Sequence, residues 1–183
     1  MKIFAPAWLL LCIFCLGQEN VPPADEFQVD KKITYYENGA KKSEGIYKNG
    51  KYEGPYIEWH PNGAKSGEGQ YKNGKTHGLW RFWYDDGTLR GLGEYEDGVG
   101  IGTHVFWHKS GAKHAEVSLK NGKFHGNYKE YSTDGKLLEE LEFNEGAREG
   151  AFTWWHENGK KALAGRFSKN KRNTIGSKCL GKT

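Results

Sequence analysis

The chain has 183 residues, 26 of them glycine, with 27% charged, 36% hydrophobic and 14% aromatic side chains and a formal net charge of +4. Glycine at this level without an every-third-residue pattern excludes collagen, and the scarcity of aliphatic material excludes a deep two-layer core. The charge is uneven: residues 168–183 carry Lys169, Lys171, Arg172, Lys178 and Lys182 with no acid, leaving a body at −1 that argues against a nucleic-acid groove.

Residues 1–17 read as an export signal, with Lys2 at the start, an apolar run from Phe4 to Leu16, and Cys15-Leu16-Gly17 as the cleavage site. The run is short for a bilayer span. A lipoprotein signal needs a small residue before its cysteine, and Leu11 and Phe14 stand there instead. Cleavage after Gly17 leaves Cys179 as the single cysteine, so no internal disulfide is expected. The alternative is an uncleaved apolar start. Residues 18–31, with Pro22-Pro23 and the acids Glu19, Asp25 and Glu26, read as a linker.

Residues 32–167 keep a period of 24. Glycines fall at 39, 63, 87, 111, 135 and 159, again at 50, 74, 98, 122 and 146, and again at 54, 78, 102, 126 and 150. An unbroken period of this length means a tandem array. Two turn signals alternate in each unit, as in Asn38-Gly39 then Asn49-Gly50, and such dipeptides favour two-residue type I′ hairpins. The expected fold is all-β: an elongated antiparallel meander of about twelve short strands, two per unit. At about 4.8 Å between strands, six units make a ribbon on the order of 55 Å long.

A two-residue loop at Asn62-Gly63 fixes the register. It sets Gly54 against Tyr71, Gly78 against Tyr95, Gly102 against Leu119, Gly126 against Phe143 and Gly150 against Phe167. A second set puts Trp80 opposite Gly93 and Phe152 opposite Gly165, with His104 opposite Val117 and Tyr128 opposite Leu141. Rings lying over bare glycine backbone are expected to supply the packing that glycine lacks. The opposite face carries a ladder of Trp59, Trp83, Trp107, Tyr131 and Trp155, serving either cohesion between units or as a platform for a ligand.

The stretches Tyr47-Lys-Asn-Gly-Lys-Tyr-Glu-Gly54, Tyr71-Lys-Asn-Gly-Lys-Thr-His-Gly78 and Leu119-Lys-Asn-Gly-Lys-Phe-His-Gly126 resemble the MORN repeat family, in its bacterial MORN-variant type. The third unit departs from it with Val99-Gly-Ile-Gly102, and the last decays at Lys169-Asn170. The resemblance implies a hairpin ribbon that binds proteins and, in some members, lipid. Some bacterial members are labelled antitoxins.

No catalytic, cofactor or metal residues emerge. His60, His108 and His156 share one phase but recur about 20 Å apart along a ribbon of this spacing, too far to ligate one ion. His77 and His125 precede a glycine beside a turn and read as structural, while Glu44, Glu68, Glu116 and Glu140 form a solvated stripe. No nucleophile elbow or phosphate loop is present. The chain is therefore expected to be a non-enzymatic, exported scaffold that binds a protein partner through one ribbon face. Alternatives are anionic-lipid binding through residues 168–183, an envelope glycan stacked on the Trp ladder, or antitoxin-like neutralisation of a partner; the oligomeric state is open.

Overall fold

The computed structural model describes residues 30–173; residues 1–17 read as an export signal, the stretch read as a linker up to residue 29 and the tail from residue 174 lie outside the described residues. The strands are β1 (Asp30–Tyr35), β2 (Lys41–Lys48), β3 (Lys51–Trp59), β4 (Lys65–Lys72), β5 (Lys75–Trp83), β6 (Leu89–Glu96) and β7 (Val99–Trp107). They continue with β8 (Lys113–Lys120), β9 (Lys123–Tyr131), β10 (Leu137–Asn144), β11 (Ala147–Trp155), β12 (Lys161–Ser168) and β13 (Lys171–Asn173). Each pairs antiparallel with its sequence neighbours, so the thirteen form one open meander in chain order.

The two turn signals fold differently. At Asn49-Gly50, Asn73-Gly74, Asp97-Gly98, Asn121-Gly122 and Glu145-Gly146 both residues have positive φ, the expected two-residue type I′ geometry. The same left-handed pair recurs at Lys169 (φ 46°) and Asn170 (φ 65°), which closes a hairpin without glycine and adds β13 inside the stretch read as tail. Asparagine tolerates that conformation better than most side chains.

The other turn is not a two-residue loop. At Asn62-Gly63 only Gly63 has positive φ, and Gly63 N–H donates to His60 O (2.9 Å) while His60 N–H donates to Ala64 O (2.8 Å). This is a three-residue loop, Pro61 to Gly63, built on a type I turn in which Pro61 supplies a ready-made φ. Asn62 Oδ1 accepts from Ala64 N–H at 3.0 Å. The extra loop residue is cancelled by a bulge: Trp59 pairs with Lys65, but Glu58 pairs with Gly67, leaving Ser66 unpaired. Beyond the bulge the predicted register holds, with Gly54 opposite Tyr71 and Tyr56 opposite Gly69. Gly78–Tyr95, Gly102–Leu119, Gly126–Phe143 and Gly150–Phe167 pair likewise.

The rings do not all lie where that register suggested. Gly54 sits in a second bulge, where Tyr47 pairs with Tyr52 but Gly45 pairs with Tyr56, and its φ is +83°. A Cβ there would meet only Ile46 Cδ1, at 3.7 Å, and one at Gly78 would meet nothing within 4 Å. These glycines are needed for backbone conformation, not as a bed for the tyrosines opposite. The nested rings belong to the second set, and most lean back one strand. Trp80 pairs with Gly93 but its indole covers Gly69, because its Nε1–H donates to Gln70 O at 3.1 Å. His104 covers Gly93 in the same way, its Nε2–H donating to Glu94 O at 3.0 Å. Tyr56 covers Gly45, and Phe152 turns forward onto Gly165 because Leu141 fills the strand behind.

This face holds the core. Tyr56, Trp80, His104, Val117, Leu141, Phe152 and Phe167 are all buried, Phe152 to 1% exposure, although the sheet has one layer. Rings in edge contact run from Tyr47 through Tyr52, Tyr56 and Tyr71 to Trp80. Leu141, Phe152 and Phe167 close the C-terminal end, with Tyr128, Phe143, Trp154 and Leu163 packed against them.

Gly69→Ala drives a methyl group into the Trp80 ring and is expected to destabilise the array by about 1–3 kcal/mol, measurable as a lower urea midpoint. Burial also sets a pH dependence. It pushes the Tyr56 and Tyr128 hydroxyls up to about 12, Tyr128 being raised further by donating to Glu130. Unfolded phenols titrate near 10 (about 10 in free peptides), so the unfolded chain loses these protons first. Stability contributed by the neutral phenols is therefore full below pH 10 and falls as pH rises to 12. Urea midpoints across that window should fall less steeply for Tyr56→Phe and Tyr128→Phe than for the parent chain.

Candidate functional site

Trp59, Trp83, Trp107, Tyr131 and Trp155 each end a strand, so they line up beside one row of turns, and all five are half-buried. The main chain of the first four is stitched to the preceding unit. The hydroxyl of Tyr36 donates to Trp59 O (2.7 Å) and that of Tyr84 to Trp107 O (2.8 Å). His60 Nε2–H donates to Trp83 O (3.0 Å) and His108 Nε2–H to Tyr131 O (2.9 Å). The histidine phase is thus an inter-unit clamp that alternates with tyrosine.

Their rings carry cations. Lys41 lies over Trp59 at 5.0 Å and bonds Glu44 at 2.7 Å; Lys65 lies over Trp83 at 5.4 Å and bonds Glu68 at 2.7 Å. Lys113 repeats this over Tyr131 (5.8 Å) with Glu116 (2.9 Å). Leu89 and Leu137 take the lysine phase before Trp107 and Trp155, so among the described residues those two rings lack the cation. The glutamate stripe is the counter-charge, with Lys31 also on Glu44, Arg81 on Glu68 and Lys129 on Glu140. Lys31 and then Lys41 hold the Glu44 carboxyl below its usual range. Pairs this open to solvent add little stability; they mainly shield the indoles from water.

The opposite row of turns is stitched too. Gly74, Gly98, Gly122 and Gly146 N–H groups donate to Tyr52, Thr76, Gly100 and Phe124 carbonyls at 2.8–3.0 Å. Glu53 and Glu149 accept the Asn73 and Lys169 amides at 2.7 and 2.6 Å. His77 and His125 stand in the phase of those glutamates, beside the turn as expected. Their Nδ1 atoms are buried without a hydrogen bond, the one in His125 lying 3.6 Å from Glu145 Oε1. Among the described residues no group of three His, Cys, Asp or Glu is placed to hold a metal ion.

A groove of about 470 Å³ opens on the core face, between β5 and β8. Phe82 and Phe106 flank Gly91, with Tyr84, Tyr95 and Trp107 alongside and Arg90 and His114 at the rim. Arg90 lies 5.8 Å from the Phe82 ring, and Phe106 is 38% exposed. His114 stacks on His108 at 4.3 Å between ring centres, and its Nε2 is 3.9 Å from Glu130 Oε1. Of this lining the sequence marked only Trp107 and Tyr95. Phe82, Arg90, Phe106 and His114 were legible solely as departures from the period, which a search for recurring residues passes over.

The family model described as MORN repeat variant matches residues 31–49, 52–73, 76–97, 124–145 and 148–167, together more than half the chain. Its matches skip the unit containing Phe106 and His114. No curated protein matches. Among solved structures, "Crystal structure of accessory secretory protein 1,2 and 3 in Streptococcus pneumoniae" is similar at 21% identity and a TM-score of 0.32, covering 57% of this chain and 19% of that one. This chain spans about a fifth of that one's length.

Tyr84→Phe removes one clamp and leaves the Trp107 carbonyl without its donor. A loss of about 1 kcal/mol is expected, seen as a lower urea midpoint, whereas Tyr35→Phe, at a side chain 60% exposed, leaves the midpoint unchanged.

Proposed function

The chain belongs to the MORN repeat variant family, a family of β-repeat scaffolds, and from that premise we propose that it is an exported, non-enzymatic scaffold whose ribbon binds a protein partner. The observation that carries this is the open sheet itself. Thirteen strands in one layer leave two long faces without a covering layer among the described residues, and large rings stay partly exposed on both. Repeat surfaces of this form suit extended interfaces, and tryptophan and tyrosine are common anchors in them. Two places on the ribbon supply such anchors. One is the row of Trp59, Trp83, Trp107, Tyr131 and Trp155, where Trp107 and Trp155 are the rings without a lysine cover among the described residues. The other is the aromatic groove around Gly91. Export is supported by the charged and then apolar run from Lys2 to Leu16.

The tagged full-length chain, cross-linked in its own cell and purified, is expected to carry one protein in fixed proportion from the exported fraction. Trp107→Ala or Phe106→Glu should reduce that recovery. Recovery of no protein, or a chain found uncleaved in the cytoplasm, overturns the scaffold or the export half respectively. Retention on anionic vesicles that falls with salt and disappears without residues 168–183 would instead favour the lipid reading.

A further inference from the structure

The array is its own control. A residue the repeat needs recurs every 24 positions, so a side chain that breaks the pattern while the strands stay intact answers to something else. The phase of Phe82 and Phe106 is Glu58 in the unit before, Glu130 in the unit after and Trp154 in the last. The sheet therefore accepts a carboxylate there, and packing alone does not demand phenylalanine. Arg90 and His114 occupy the bulge position that is Lys42 in the first unit and Ser66, Leu138 and Ala162 elsewhere, so a basic residue there is tolerated but not required by the repeat. Both phenylalanines fall in two adjacent units, and only there does a basic bulge residue stand beside them, so the four side chains converge on one groove.

The floor of that groove is Gly91. A Cβ there would stand 3.4 Å from Phe106 Cδ1 and 3.7 Å from Phe82 Cδ2, so any side chain would fill the space between the rings. The volume, about 470 Å³, is within the range of clefts that enclose a ligand group. Its rim is basic at Arg90 and His114, with the carboxylates of Glu58 and Glu130 standing outside the two phenylalanines. Arg90 makes no ion pair among the described residues and keeps its guanidinium donors for a planar anion. His114 is too far from Glu130 for a hydrogen bond. The acids beyond the turn are already taken, Lys109 holding Asp85 at 2.6 Å and Asp86 at 3.6 Å. Apolar walls under an unpaired cation complement a ligand that is apolar and acidic.

We propose that the groove between Phe82 and Phe106 docks an acidic peptide segment of a protein partner, with a large apolar side chain over Gly91 and a neighbouring carboxylate on Arg90 and His114. This rests on the scaffold reading and gives it an address. It is not a property of the repeat as such, because Phe106, Trp107 and His114 of its lining come from the unit that the family model skips.

The test uses the full-length chain and a fluorescent, blocked pentapeptide with phenylalanine between two aspartates, followed by anisotropy. Saturable binding is expected, weakened roughly tenfold or more when the aspartates are replaced by lysines. Arg90→Ser and Phe106→Glu install the residues that neighbouring units carry at those phases, so both should fold; unchanged circular dichroism and urea midpoints verify it. Each should weaken the aspartate peptide by roughly tenfold, and Lys72→Ser, on the exposed end of β4, should not. Equal binding of the lysine peptide, unaltered binding by both folded variants, or no binding at millimolar peptide overturns the groove. If the peptide fails while a protein is still recovered from cells, only the groove assignment falls. If no protein is recovered either, the scaffold reading falls with it.

Discussion

A single-layer sheet has no second layer to cover its backbone, so every unit must be covered by the next. The interaction that does this is an aromatic ring laid across a glycine on the neighbouring strand. Trp80 over Gly69 shows the terms of it. The glycine supplies depth, the ring excludes water from the ladder beneath, and the Nε1–H bond to Gln70 O fixes which way the ring leans. Bulges at Gly54, Gly78, Gly102, Gly126 and Gly150 re-aim the strands at each step. Burial to a few per cent exposure on one face of one sheet follows from that arrangement at Tyr56, Trp80 and His104, and towards the C-terminal end from the cluster of Leu141, Phe152 and Phe167.

The register was legible in the sequence even though one of its premises fails. A two-residue loop at Asn62-Gly63 and a three-residue loop followed by a bulge at Ser66 predict the same partners further along the strands. Asn-Gly dipeptides look alike on paper; what separates the two turns is whether asparagine itself is left-handed, and that depends on the strands entering it. The direction of ring lean was hidden for a similar reason. It follows from main-chain carbonyls at Gln70 and Glu94 that no side-chain pattern announces. The histidine phase, His60 and His108, resolves into a clamp because tyrosine at 36 and 84 does the same work with a different donor.

Regular and irregular positions carry different information in such a molecule. What recurs, from the glutamate–lysine–tryptophan triplets to the left-handed glycines, is the means by which units hold together. The Trp ladder is of this kind for the most part, since four of its five carbonyls are clamped and three of its rings are capped by lysine. What does not recur, the phenylalanines at 82 and 106 with Arg90 and His114 beside them, is free of that duty, and this is why the molecule's individuality is concentrated around Gly91.

The stitches along both rows of turns join each unit to the next, with donors and acceptors 22 or 23 residues apart. Length is thereby decoupled from architecture. Gain or loss of one 24-residue block, the event that replication slippage produces in a tandem coding sequence, would leave each surviving stitch with an equivalent counterpart. The ribbon would lengthen or shorten by two strands, about 10 Å, without a new fold having to be found. Blocks added before β5 or after β8 would slide the Gly91 groove along the ribbon like a mark on an extensible rod, so its distance from either end can be tuned by copy number alone.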